Sequence, residues 1–345
     1  MGTNVARRVT AVGCVVFGMF LAMAAGALAS APAIYLCVPT KVGAAVTSGG
    51  KGGSCKAKTT KVAVPSEEAA QQKLLAILPY VKYEAEGVGK KPTIQVSGAN
   101  LQLVNGAGKT ETVNGTGNLV VGYDEAPGAQ TGSHNLVLGS AQEFTSFGSL
   151  IAGAGNVDTG PFSDVLGHTN LASERYASVT GGTGNKAIAE SSSIGGGSHN
   201  EAAGANATVT GGFKGGAVGE TSSVTGGSEN KAFGFASWAS GGFLNSASED
   251  LSSVSGGEAN LAFGAGSSVT GGLSNTAQGE YATVSGGNVN LAEGRAATVS
   301  GGAHNTASGR TASVSGGYKN IAQADFSSIF GGKELKETTE YGAMP

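Results

Sequence analysis

The sequence predicts a mainly β fold, a parallel β-solenoid wound in 15-residue coils, and three columns of residues predict it. A Gly-Gly pair begins at Gly181 and returns at 196, 211, 226, 241, 256, 271, 286, 301, 316 and 331 without a slip. Three positions after each pair stands Asn, from Asn185 to Asn320, broken only by Gly215. Two positions before each pair stands Val or Ile, from Val179 to Ile329, with Ala239 the one exception. Fixed self-similarity at a short period marks a stack of identical units, each presenting the same surface to its neighbours.

One repeat shows how a coil is built. In Ala297-Thr298-Val299-Ser300-Gly301 the first, third and fifth residues share a face, and the hydroxyls take the other. After the glycines, Asn305, Ala307 and Gly309 continue the alternation. Fifteen residues thus fit two short strands joined by two tight turns, with glycine supplying backbone geometry that other residues adopt poorly. A helix is excluded, since a Gly-Gly in every repeat costs about 2 kcal/mol against Ala. Coils about 4.8 Å apart make the eleven Gly-Gly rungs a rod of roughly 50 Å. Its lumen of Val, Ala, Ser and Gly buries little apolar area per coil. The asparagines have two readings: an amide ladder bonding rung to rung, or simple turn preference.

The segments follow in order. Residues 1–29 read as a signal peptide, with Arg7 and Arg8, an apolar stretch, and Ala27-Leu28-Ala29 as cleavage site. The product is then secreted, at the cell surface or extracellular, and the mature chain has no membrane span. In that oxidising compartment Cys37 and Cys55 are expected to pair, closing residues 30–65 as a small β module, with a hairpin-like turn at Ser48–Gly53. Such a bridge stabilises on the order of 3 kcal/mol. Residues 66–92 are expected to hold a short helix and linker: Ser66 caps, Glu67 and Glu68 follow, and Leu74, Leu75, Ile77, Leu78 and Val81 form an apolar side. Residues 93–165 hold two leading strands, at 93–98 and 101–106, and looser coils with turns at Gly122, Gly139 and Gly153, followed by one more loose turn at Gly167. Regular coils fill 166–332, and the polar 333–345 is expected to break the pattern as a cap.

The pairing of Ser-Val-Ser-Gly-Gly (253–257) with Asn-Leu-Ala-Phe-Gly (260–264) resembles the YadA-like, hemagglutinin-type head repeats of trimeric adhesins. Upstream, Asn118-Leu119-Val120-Val121-Gly122 and Asn135-Leu136-Val137-Leu138-Gly139 carry the same likeness, which covers about 118–332. The resemblance implies a left-handed β-roll in which three chains pack side by side, burying lateral faces that a thin core leaves bare. It departs from the family in its doubled glycine and in a period longer than the usual fourteen. The sequence shows neither a coiled-coil stalk nor an outer-membrane barrel, so the self-anchoring part of the family's function is not expected.

Without the signal, 19 basic residues face 24 acidic ones, which argues against nucleic acid as a partner. Lysines 41, 51, 56, 58 and 61 form a basic stretch that could touch anionic wall polymer or simply be a solvated face. His134, His168, His199 and His304 are scattered, the glycine pairs lack the Lys-Ser/Thr of a phosphate loop, and 181–187 lacks the Asp of a calcium repeat. No enzyme, metal or cofactor is expected. The candidate site is the irregular rung at Ala239, where Trp238 replaces an outward hydroxyl and Phe233, Phe235 and Phe243 lie close in sequence. It reads as an aromatic platform for a glycan or protein ligand, or as packing between protomers, or as a slip turning Trp238 inward over Ala239. Packing is favoured, because large aromatics anchor subunit contacts. The expected function is a non-enzymatic, adhesin-like surface or matrix protein, homotrimeric, binding extracellular matrix protein, glycan or cell-wall polymer. The alternatives are an ice-binding solenoid, from its outward Ser/Thr rows, and a polysaccharide-active solenoid enzyme, disfavoured because Glu229, Asp250, Glu258 and Glu280 fall in different columns.

Overall fold

A computed structural model describes residues 34–39, 47–48, 59–64, 73 and 75–345. The signal peptide, Cys55, the Ser48–Gly53 turn beyond Ser48, and the Ser66 cap lie outside the described residues. The chain divides into two units, 1–101 and 102–345. In the first, strand Ile34–Pro39 is flanked on either side by Thr47–Ser48 and Thr59–Val64, both antiparallel to it. Residues 75–77 are helical and tighten into a 3-10 turn at Leu78–Tyr80, where Pro79 removes a donor. Val81, expected on the helix, instead opens strand Val81–Glu84, which pairs antiparallel with Thr93–Val96. The second leading strand expected at 101–106 does not form; those residues are irregular. No helix among the described residues is long and apolar enough to cross a membrane.

The second unit is a parallel β-solenoid. Each regular coil contributes one two-residue strand to each of two sheets. A 16-stranded sheet runs from Leu119–Val121 to Ala343–Met344 and carries the Val column. A 14-stranded sheet runs from Glu143–Phe144 to Lys336–Glu337 and carries the Ala column. Residue i pairs with i+15 in coil after coil, as in Val254↔Val269 and Ala262↔Ala277. A third ladder of single bridges, from Thr183 through Phe213 and Phe243 to Lys333, follows the glycine turn and was not foreseen. Sixteen strands about 4.8 Å apart make a rod of roughly 70 Å. The Val and Ala columns are sealed, every member from Val179 to Ile329 and Ala172 to Ala322 being fully buried.

The coils at Gly139, Gly153 and Gly167, expected to be looser, hold the longest ladders in the solenoid. Leu136–Ser140, Leu150–Ala154 and Asp164–His168 pair over five residues each. They have one residue fewer between the inward Val or Ile and the left-handed glycine: Val165-Leu166-Gly167 against Val179-Thr180-Gly181-Gly182. The extra residue ends the strand early, as a bulge does.

The two glycines of a pair are not equivalent. The second has φ near +80 to +100° in every regular coil, and from Gly182 to Gly317 a Cβ there would run into the carbonyl of the next coil's second glycine. The other two turns of a coil use left-handed residues that, apart from Gly184 and Gly266, are not glycine, such as His199 and Asn206.

The asparagine column is a ladder, but each amide bonds backbone rather than the next amide. Asn275 Oδ1 accepts the Asn290 N–H at 3.0 Å. Its Nδ2 donates to the Gly271 carbonyl of its own coil at 2.8 Å and to the Gly287 carbonyl of the next at 3.0 Å. One buried side chain therefore closes two turns and caps a third. At Gly215 the chain of bonds breaks: Asn200 still accepts the Gly215 N–H, but nothing returns to Asn230 by this route.

The small residue before the Val strand shows a finer rule. Ser192, Ser252 and Ser327 donate to the carbonyl three residues back, those of Ala189, Glu249 and Ala324. Ser222, Ser237 and Ser267 follow Gly219, Gly234 and Gly264, and their buried hydroxyls have no partner; Ser163, which follows Gly160, is the exception, reaching that carbonyl at 2.8 Å. Coils with the same glycine also carry Ala there, at 207, 282, 297 and 312. Replacing Ser267 by Ala should therefore raise the unfolding free energy by about 1 kcal/mol, whereas Ser252→Ala should lower it by a similar amount. Parallel urea titrations of the two variants check the opposite signs.

Residues 333–345, expected to break the pattern, wind one more coil in register. Lys336–Glu337 pairs with Ile321–Ala322 and Ala343–Met344 with Ser328–Ile329. Leu335 takes the asparagine place, its N–H bonding Asn320 Oδ1 at 2.9 Å. Glu337 occupies the Ala column, so a carboxylate faces inward on this terminal strand, where it opposes further stacking.

Candidate functional site

The four aromatic residues of the irregular rung do not converge. Trp238 sits on the outer face of the Val sheet, paired with Ser223 and Ser253, while Ala239 stays fully buried in register. The inward slip is therefore absent: strand parity holds Trp238 outward. Phe233 follows buried Ala232 and so lies outside the Ala sheet, Phe235 lies in the turn between sheets, and Phe243 belongs to the bridge ladder. All four are 39–49 % exposed, and no ring pair joins any two of them. They form a girdle around one coil, extended by Val218, Leu244, Leu251 and Phe263, rather than one platform.

The histidines stay apart as well. His134 holds the 102–118 segment, its Nδ1 facing the Thr110 carbonyl at 3.0 Å and its Nε2 accepting the Asn105 N–H at 3.1 Å. Together they line a cavity of about 530 Å³ with Gln102, Leu103 and Lys109. His199 meets Phe213 edge-on, and His304 meets Tyr318 in the same way. Among the described residues no three His, Cys, Asp or Glu side chains gather as metal ligands would.

The most regular surface is the outer face of the Val sheet. Two hydroxyl rows run along it: Ser178, Ser193, Thr208, Ser223 and their successors, interrupted by Trp238, and Thr180, Thr210, Thr225, Ser240 and theirs, interrupted by Gly195 and Phe330. Ser253 and Ser268 hydrogen-bond along the row at 3.1 Å, and Ser313 and Ser328 at 3.0 Å. Beside these rows lies the first glycine of each pair. A Cβ built at 196, 211, 226, 241, 256, 301, 316 or 331 meets nothing within 4 Å, and φ there is not left-handed. The single-glycine coils carry Leu138, Ala152 and Leu166 before their turn glycine. The fold of one chain thus has no need of the first glycine.

No family model matches the sequence, and no curated protein matches it.

Sequence reasoning found the asparagine column only from Asn185 onward. In space it begins with Asp124 and passes through Gln142, Asn156 and Asn170, each side-chain oxygen accepting the next backbone N–H. Spacings of 18 and 14 and the change of residue type concealed it. The amide or carboxylate alternating with turn glycines was the available signal.

Proposed function

We propose that the chain is a secreted, non-enzymatic, adhesin-like binding or structural protein, a left-handed β-roll of the YadA-like head type that assembles side by side as a homotrimer. In this reading the rods present repeated hydroxyl and apolar surfaces to extracellular matrix protein, glycan or cell-wall polymer, and the Cys37–Cys55 pair closes the leading module. The observation that carries it is the first-glycine column. Neighbouring surface positions vary from coil to coil, as Thr183, Ser198, Phe213, Ser228 and Phe243 do, so a shared origin of the coils does not explain eleven unchanged glycines. Open space around them within the chain leaves an outside contact as the reason, one in which another backbone comes close. Sedimentation velocity of the mature chain should give a trimer at micromolar concentration. Gly256→Leu, Gly271→Leu and Gly286→Leu combined should keep the β circular-dichroism spectrum and yield monomer. A monomeric wild type defeats the assembly.

A second reading, ice binding, is favoured by the two hydroxyl rows on one sheet, spaced by the strand period and the coil rise. Serine outnumbers threonine in them, which weakens it. Thermal hysteresis separates the two readings, and its absence removes this one.

A further inference from the structure

Asp158 breaks the Ala column: it pairs with Phe144 below and Ala172 above, so its carboxyl points into the lumen and is 1 % exposed. Its Oδ2 has no hydrogen-bond partner. Its Oδ1 lies against Ser163 Oγ, which is also 2.8 Å from the Gly160 carbonyl. A hydroxyl has one proton, and Ser163 Oγ stands within reach of two acceptors, so it cannot satisfy the Gly160 carbonyl and a charged Asp158 carboxylate at once.

The surroundings agree. Phe144, Ile151, Val165 and Ala172 supply an apolar wall. The charged group acting on Asp158 is Asp164, another acid on the facing sheet; His168 and Glu174 are exposed and Glu143 is directed toward Gly128. Burial pushes the Asp158 carboxyl from its usual 3.8 up to about 7, Asp164 adds to the rise, and the bonds from Ser163, Ser149 and the Gly160 backbone only temper it.

We propose that Asp158 is held as the neutral acid inside its coil, so that residues 143–172 form a proton-dependent clasp, tight in acid and loosened when the proton leaves. A raised carboxyl holds more protons folded than unfolded. Its stabilisation is complete below 3.8, declines as the pH rises, and is gone once the pH passes about 7.

Hydrogen exchange on the mature chain, corrected for intrinsic pH dependence, tests it, with the Asp-free coils at 253–300 as internal reference. Opening of 143–172 relative to that reference should increase about 100- to 1,000-fold from pH 4 to pH 8. Asp158→Asn should flatten the profile, and so should Asp158→Ala, which installs the residue that the column carries elsewhere. An infrared band of a protonated carboxyl at pH 6 should vanish in Asp158→Asn. A wild-type profile parallel to the reference coils, or variants that retain the wild-type profile, overturns the proposal.

Discussion

Gly257→Ala should cost about 4 kcal/mol and open the coils on both sides of it, while Gly256→Ala, measured on the single rod at a dilution below assembly, should change stability by less than about 0.5 kcal/mol. The two residues are adjacent and identical, so composition and propensity do not distinguish them. At Gly257 φ is +86°, and the added methyl would collide with the Gly272 carbonyl oxygen and crowd Asn260 Nδ2. Backbone on the next coil cannot rotate away as a side chain can. Relief requires parting two coils, which sacrifices the Glu258–Gly272 bond of 2.9 Å and its neighbours. At Gly256 the methyl enters open space with ordinary φ. Urea midpoints of the pair, with amide exchange to localise the loss, check the contrast; equal effects would refute the division of labour between the glycines.

The second large effect is expected at the asparagine ladder. Asn275→Ala should lower stability by about 3 kcal/mol, because it strips the acceptor from the Asn290 N–H and the donor from two turn carbonyls. The reverse experiment is available at Gly215, where the column is empty. There φ is not left-handed, and a Cβ would stand 3.1 Å from Asn200 Oδ1 and 3.2 Å from a Val224 methyl, close but without a backbone collision. Gly215→Asn should add about 1–2 kcal/mol by restoring the bonds to the Gly211 and Gly227 carbonyls and to the Asn230 N–H. Thermal melts of both variants decide it. A destabilised Gly215→Asn would mean that the coil has closed around the gap.

The solenoid was legible because its demands recur: a fully buried Val or Ala every fifteen residues leaves a periodic trace that no single site can leave. Where one residue type replaces another in the same role, the trace fades. Gln142 does the work of asparagine and Asp124 its accepting half at irregular spacing, and Leu335, Glu337 and Met344 complete a coil that their polarity and size disguised. The aromatic residues misled for a different reason. Nearness in sequence around a coil of fifteen residues places side chains on different sides, so Phe233, Phe235 and Trp238 diverge where a strand or helix would have gathered some of them. Asp158 was hidden because the column it interrupts is established only by coils that come later in the chain.

The hydrogen bonds linking one coil to the next point along the rod, and this sets how the solenoid yields under load. Tension applied at its two ends pulls on a single rung at a time, so the terminal coil peels away before the next is stressed. Each release frees fifteen residues, about 50 Å of slack chain, and leaves behind a shorter rod that still presents intact coils. A tether made this way fails in small, repeated steps and absorbs work at each one, which is the behaviour of a shock absorber rather than of a rigid strut.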